Sequence, residues 1–285
     1  MHDSLIIMAA PFAACLVLVG LHVYLGLHVL ARGVIFVDLA LAQIAALGRT
    51  LAFLAGYDLD SWGALYLSLA ATFVGAAVFS LTRLRHRQIP QEAVIGITYV
   101  VAAAAGVLVI DRAPHGAEHL KSLLVGTLLW INWAEVLETV GLYAALGLFH
   151  WFFRERFLLI SFDEEEAGRR GWWIRWWDFL FYASFGLVIT CSVQIAGVLL
   201  VFSFLIVPAV CGALFTQRIG LRLGIGWIVG FVVSALGCSL SYAADLPTGA
   251  VVVCTFGVVL LLLGLVRPAL ARLAIRKELS RAELS

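Results

Sequence analysis

Residues 248–266 read TGAVVVCTFGVVLLLLGLV, a run without a single charge that ends at Arg267. An α-helix rises about 1.5 Å per residue and the hydrocarbon core of a bilayer is roughly 30 Å thick, so about 20 apolar residues span it. This stretch is long enough to cross, and it is the last of a series. Comparable runs lie at roughly 5–30, 33–55, 62–82, 91–110, 133–153, 176–193, 196–215 and 222–243. The expectation is an all-α fold: a polytopic transmembrane helical bundle of nine spans, forming one domain over residues 1–285. If the break near Ser192–Gln194 does not reach the outer surface, eight spans remain. The period-two alternation of a membrane β-barrel is absent.

Composition agrees. Of 285 residues, 63% are apolar and 13% charged, against about half and a quarter in soluble domains. Such a chain cannot build a water-facing surface. Its net charge of +1 and scattered basic residues give no stripe for nucleic acid. The five cysteines (Cys15, Cys191, Cys211, Cys238 and Cys254) each lie in an apolar run and read as small buried hydrophobes. The first run has no cleavage site after it and reads as a retained helix. No G-x-x-x-x-G-K-[ST] phosphate loop is present, so any ATP hydrolysis belongs to another chain.

Charge sets orientation. Arg32, Arg83 to Arg87, Arg154 to Arg175, Arg218, Arg222 and the tail from Arg267 fall on one side, which holds 16 of the 19 basic residues. Basic loops stay in the cytoplasm, which puts the N-terminus outside and the C-terminus inside. Trp172, Trp173, Trp176 and Trp177 suit an aromatic belt at that face. Pro90 and Pro247 sit where spans begin, and Pro208 is expected to kink the span that contains it.

Three places can hold chemistry. Asp38 stands in the second span, six residues past Arg32, with Ala42 and Ala45 on the same helical face and Gln43 close to the midplane. A carboxylate over a small-residue face suits a narrow cation path, because oxygen ligands fit hard or borderline divalent ions. Alternatively, Asp38 pairs with Arg32 or caps a neighbouring backbone. His115, Glu118 and His119, in the outer loop after the fourth span, read as a transient metal site or as a polar interfacial loop. Residues 161–171, SFDEEEAGRRG, read as a short cytoplasmic helix. Ser161 or Asp163 caps it, acids fill its first turn, and Gly168 or Gly171 stops it. It either docks into a partner or lies alone on the membrane surface. His22 and His28 read as core or interface residues, and His150 as interfacial.

The stretch from Leu158 to Gly171 resembles the coupling segment of the permease subunits of zinc/manganese ABC importers. Residues 194–209, QIAGVLLVFSFLIVPA, resemble that family's G-x-L-L-…-L-I-x-P-A helix, and 92–97 and 122–126 match further family stretches in order. The likeness runs over roughly residues 10–265. It implies an ABC importer permease that dimerises with a second copy in a bacterial inner membrane. It also implies a dimer of cytoplasmic ATPase subunits that bind ATP, and an extracytoplasmic metal-binding protein. The coupling contacts would be Ser161, Asp163, Glu164, Glu165, Ala167 and Gly168. The cargo would be a divalent zinc, manganese or iron ion as substrate, with no cofactor bound in this chain. The alternatives are a permease for a metal chelate or vitamin, and a secondary transporter without an ATPase. The family's second helix usually carries Asp and, four residues later, His. Here position 42 is Ala, and Gln43 stands five residues before Gly48, as the family's His stands before its Gly.

Overall fold

Local capping chemistry marks several of the helix starts. The computed structural model describes residues 2–58, 61–83, 89–110 and 126–282. The helices are α1 (His2–Arg32), α2 (Val37–Leu54), α3 (Trp62–Leu81), α4 (Gln91–Ile110), α5 (Trp133–Phe152), α6 (Arg154–Phe162), α7 (Glu164–Arg169), α8 (Ile174–Phe215), α9 (Ile219–Ala244) and α10 (Thr248–Ala282). A 3₁₀ turn, Leu128–Trp130, precedes α5. Ser61 caps α3 by accepting from Ala64 N, and Asn132 with Glu135 closes a capping box on α5. Pro90 and Pro247 stand immediately before α4 and α10, where a missing N–H costs nothing.

Among the described residues, seven helices are long and apolar enough to cross a membrane. Helix α5, bent by 72° from α6 at Phe153, makes an eighth if the pair is one span. Residues 176–193 and 196–215, expected as separate spans, lie in the single 42-residue run of α8. The expected interruption is present, but at Gly197 rather than at Ser192–Gln194. Gly197 has φ 75° and ψ 160°, a conformation essentially reserved for glycine, which residues with a Cβ adopt only at a cost of about 1–3 kcal/mol. Pro208 lies in a stretch of helical dihedrals; within α8 the non-helical residue is Gly197.

The core forms where α1 meets α8. Tyr182, Phe181, Phe185 and Phe204 of α8, with Leu18 and Leu25 of α1, are among the largest fully buried side chains. Two small-residue approaches permit this packing. A Cβ at Gly26 would lie 1.9 Å from the Leu205 carbonyl oxygen, and Cβ atoms at Gly226 and Gly230 of α9 would meet Val23 and Val19 at 2.4 and 2.6 Å. The Gly226/Gly230 step is therefore the seat of α1. Helix α4 lies at the periphery, with Ile97, Val100, Val101 and Leu108 exposed.

Gly26→Val drives a side chain into backbone and is expected to cost more than the 1–3 kcal/mol of ordinary overpacking. Gly20→Ala, with nothing within 4 Å of its added Cβ, leaves stability unchanged or slightly raised. Thermal unfolding of both variants in detergent, against wild type, checks the contrast.

Candidate transport pathway and cytoplasmic coupling segment

Asp38 sits in the first turn of α2, near the positive end of its dipole, and is 2% exposed. Val37, Leu41, Ala42, Ala45 and Gly48 are buried on the same helix. Helix α3 fills part of this small-residue surface: a Cβ at Gly48 would meet Ala71 Cβ at 2.7 Å and the Leu67 carbonyl oxygen at 2.8 Å. Asp38 Oδ1 has no hydrogen-bond partner. Arg32, one partner open to Asp38 in the sequence, bonds elsewhere. Gln43 is half-buried farther along α2.

The sequence reading missed a second carboxylate here. Glu92, in the first turn of α4, accepts a hydrogen bond from Phe36 N at 3.0 Å through Oε1. Phe36 is the N-cap of α2 and has no side-chain cap, and Glu92 takes the N-cap's own N–H from another helix, the bond that the N3 acid of a capping box would make. Its Oε2 is unpartnered, and its charge lies within electrostatic reach of Asp38. An acid two residues after Pro90, at the start of an otherwise uncharged span, was the available signal. Among the described residues, no three His, Cys, Asp or Glu side chains group as metal ligands. His115, Glu118 and His119 lie outside the described residues.

Residues 154–169 fold as two short helices, α6 and α7. Asp163, not Ser161, caps the second: its Oδ1 accepts from Glu166 N at 3.0 Å. Ser161 is already inside α6, so its hydroxyl is free for tertiary bonds. Gly171, at φ 71°, ends α7 in a Schellman turn, with Trp172 N bonded to Ala167 O and Gly171 N to Gly168 O. Gly168 stays within the helix. Glu166 accepts from Arg169 at 2.8 Å and Arg170 at 3.1 Å, and those bonds hold its carboxyl below the usual range. Ala167 is buried. Phe162, Asp163, Glu165, Gly168 and Arg169 remain on the surface.

Glu164 is exposed as well, whereas Ser161 is buried and faces inward, near a buried carboxylate that the sequence reading also missed. Asp178, four residues into α8, is fully buried and takes Arg32 Nη1 at 2.6 Å on Oδ1. Its Oδ2 takes Arg83 Nη1, and Arg83 Nη2 reaches Glu164 Oε2 at 2.8 Å. Burial disfavours the Arg83 charge, but Asp178 and Glu164 together outweigh that and raise its pKa. Arg32 Nε also donates to Ser161 Oγ at 2.8 Å, and its guanidinium lies 3.9 Å from the Phe181 ring centroid. Arginine cannot accept, so the Ser161 proton is free to go to His28 Nδ1, 2.8 Å away. His22, His28 and His150 are all buried, and His150 is thus core rather than interfacial. It bonds Ser184 Oγ at 2.9 Å and stacks on Phe157, which shields it from the interface.

A bundle of apolar helices with two buried carboxylates, Asp38 and Asp178, and a capped pair of short helices between two long ones is a permease-like arrangement. The family described as the ABC 3 transport family matches residues 4–267. The chain belongs to that family. It is thus a multi-pass membrane protein of the ABC transporter permease type. It is 25% identical over 192 residues to a probable metal transport system membrane protein of Chlamydia trachomatis. That match spans 66% of this chain and 64% of the chlamydial protein. A probable iron transport system membrane protein of Haemophilus influenzae is 26% identical over 82% of this chain and 80% of its own length. The manganese transport system membrane protein MntB of Synechocystis is 28% identical over 67% of this chain and 60% of its own. The fold is similar to a chain of PsaBC from Streptococcus pneumoniae in complex with Fab, at a TM-score of 0.74, 24% identity, and coverage of 92% and 93%.

Asp178→Asn leaves the buried Arg32 facing a neutral amide. Removing one partner of a buried ion pair costs about 3–5 kcal/mol, so this variant is expected to unfold at a markedly lower temperature. Glu165→Gln, at an exposed position, is expected to be neutral within about 0.5 kcal/mol. Thermal unfolding of the two purified variants tests the difference.

Proposed function

We propose that this chain is the membrane permease subunit of an ATP-driven importer that moves a divalent transition-metal ion (zinc, manganese or iron) into the cytoplasm. The observation that carries the reading is Asp38: a buried intramembrane carboxylate with an unpartnered oxygen, in a chain of the ABC 3 transport family. Ionisable groups at such depth are costly and mark transport paths. The relatives named for metal, iron and manganese transport support the cargo class. Asp38 and Gln43 would line the path, and oxygen ligands suit manganese or iron(II) at least as well as zinc. The outer His115, Glu118 and His119 would collect the ion.

ATP would be hydrolysed by a pair of cytoplasmic subunits docked on residues 161–171, with Asp163, Glu165, Gly168 and Arg169 presented to them. A second copy of the permease and an extracytoplasmic metal-binding protein complete the assembly. The N-terminus would lie outside and the C-terminus in the cytoplasm, with nine crossings. Packing along α1 supports the ninth. Arg32 pairs with Asp178, and His28 packs on Phe181 at 5.5 Å, so residues 174–196 run antiparallel to α1. Gly26 meets Leu205 and Ala209, while Leu30 and Ala31 share a cavity with Ala213 and Leu214. Residues 198–215 therefore run parallel to α1, and the chain reverses about Gly197.

Elemental analysis of cells lacking the protein, grown under metal limitation, tests the function. The expected result is a selective loss of one transition metal. Wild type restores it, and Asp38→Asn, at matched expression, restores less than a tenth of it, because a carboxamide cannot replace the charge of a carboxylate ligand. Full restoration by Asp38→Asn overturns the assignment of Asp38. No change in any metal favours the chelate or secondary-transporter readings.

A further inference from the structure

Helices α1 and α9 meet along a seam with a regular register. Gly226 faces Val23 and Gly230 faces Val19, so each step of four along α9 answers a step of four back along α1. The next step sets Ser234 opposite Cys15, and Cys238 follows one turn beyond Ser234 on the same face of α9. The helices are close here: a Cβ at Gly230 would stand 3.3 Å from Val19 Cβ. Cys15 is 0% exposed and Cys238 3%. The Cys15 thiol is in hydrogen-bonding contact with the Cys238 thiol and also interacts with Ser234. Ser234 is itself fully buried, and its Oγ has no partner at hydrogen-bonding geometry. Two buried thiols alone read as small hydrophobes. An orphan hydroxyl oxygen beside them is costly to keep, and it supplies what an apolar pair lacks, a ligand atom waiting for a partner.

Charge decides which ion fits. Thiolate sulfur selects soft or borderline ions. A net charge shut away from water is heavily penalised. A monovalent ion on two thiolates leaves one negative charge over, whereas a divalent ion is neutralised: it displaces one proton from each thiol and binds both sulfurs. Ser234 Oγ can then add a neutral third ligand. The set differs from a cluster of three His, Cys, Asp or Glu, which the described residues lack, because its third member is a hydroxyl. Ser241, on the same face of α9 one turn past Cys238, pairs its hydroxyl with Thr248 at 2.8 Å, so polar side chains line the way from the thiols to the end of the helix.

We propose that Cys15, Cys238 and Ser234 form a binding site for a divalent thiophilic ion with a filled d shell, of the zinc and cadmium class, held between α1 and α9 and built on different helices from Asp38. The ion replaces two thiol protons, satisfies the stranded Ser234 oxygen and crosslinks the two helices.

The test uses the purified full chain in detergent, kept reduced and free of oxygen, with Cys191, Cys211 and Cys254 replaced by alanine. Cd²⁺ is the probe. The expected result is about one Cd²⁺ retained per chain after gel filtration, about two protons released per ion bound, and a higher unfolding temperature with Cd²⁺ than without. Cys15→Ser and Cys238→Ser nearly keep the side-chain volume, and each is expected to lose all three effects while it stays folded and monodisperse. Ser234→Ala is expected to weaken binding about tenfold, the effect of losing a supporting group. The proposal is overturned if no Cd²⁺ is retained, if either single serine variant binds as its parent does, or if the thiol protons stay in place when the ion binds. None of these readouts involves import, so failure here leaves the transport reading where it stands.

Discussion

A carboxylate sealed from water must find a cation or give up its charge, and Asp178 finds two. Its oxygens divide between Arg32 from the end of α1 and Arg83 from beyond α3, so one side chain fastens three helices that are distant in sequence. The consequences spread outward. The Arg32 guanidinium lies over the Phe181 ring, 3.9 Å from its centroid, and its Nε donates to Ser161, which ties α6 to α1. The aromatic cluster of Phe153, Phe157, Trp177 and Phe181 closes over the same place and keeps it dry. A dry site strengthens each charge–charge contact and makes it costly to leave any of them unpaired.

The membrane class and most helix positions were legible because one physical requirement, about twenty apolar residues per crossing, writes itself directly into sequence. The short capped helix α7 was legible for a similar reason: capping is local, so Asp163, the acids after it and Gly171 sit at fixed offsets. What escaped notice was tertiary. Asp178 and Glu92 each lie within the first turn or so of an apolar span, where a lone acid reads as interfacial. Their partners, Arg32, Arg83 and the α2 N-terminus, come from other parts of the chain. Ser161 was misread as a possible cap for the same reason: its hydroxyl serves Arg32, 129 residues away. The interruption was placed a few residues early because Ser192–Gln194 is the polar spot, while the helix breaks at the residue whose backbone can adopt φ 75°.

Asp38 and Glu92 show how one helix end can serve two purposes. The N-terminus of α2 carries orphan N–H groups and a positive dipole. Glu92 satisfies one of those donors, and the dipole favours the Asp38 charge. Each carboxylate keeps an oxygen without a partner.

The break at Gly197 has a consequence for the order in which the molecule is made. Interrupting a helix strands the carbonyls just before the interruption, and a stranded group shut away from water costs about 1–3 kcal/mol. The Ile195 carbonyl is taken by Thr127 N at 3.1 Å, and Gly126, at φ 71°, lets that strip of backbone lie directly on Ala196 and Gly197. The donor precedes the acceptor by nearly seventy positions in the chain. A ribosome emitting this protein from its N-terminus therefore delivers the 126–130 turn before the carbonyl that requires it, so the donor exists before the acceptor is made.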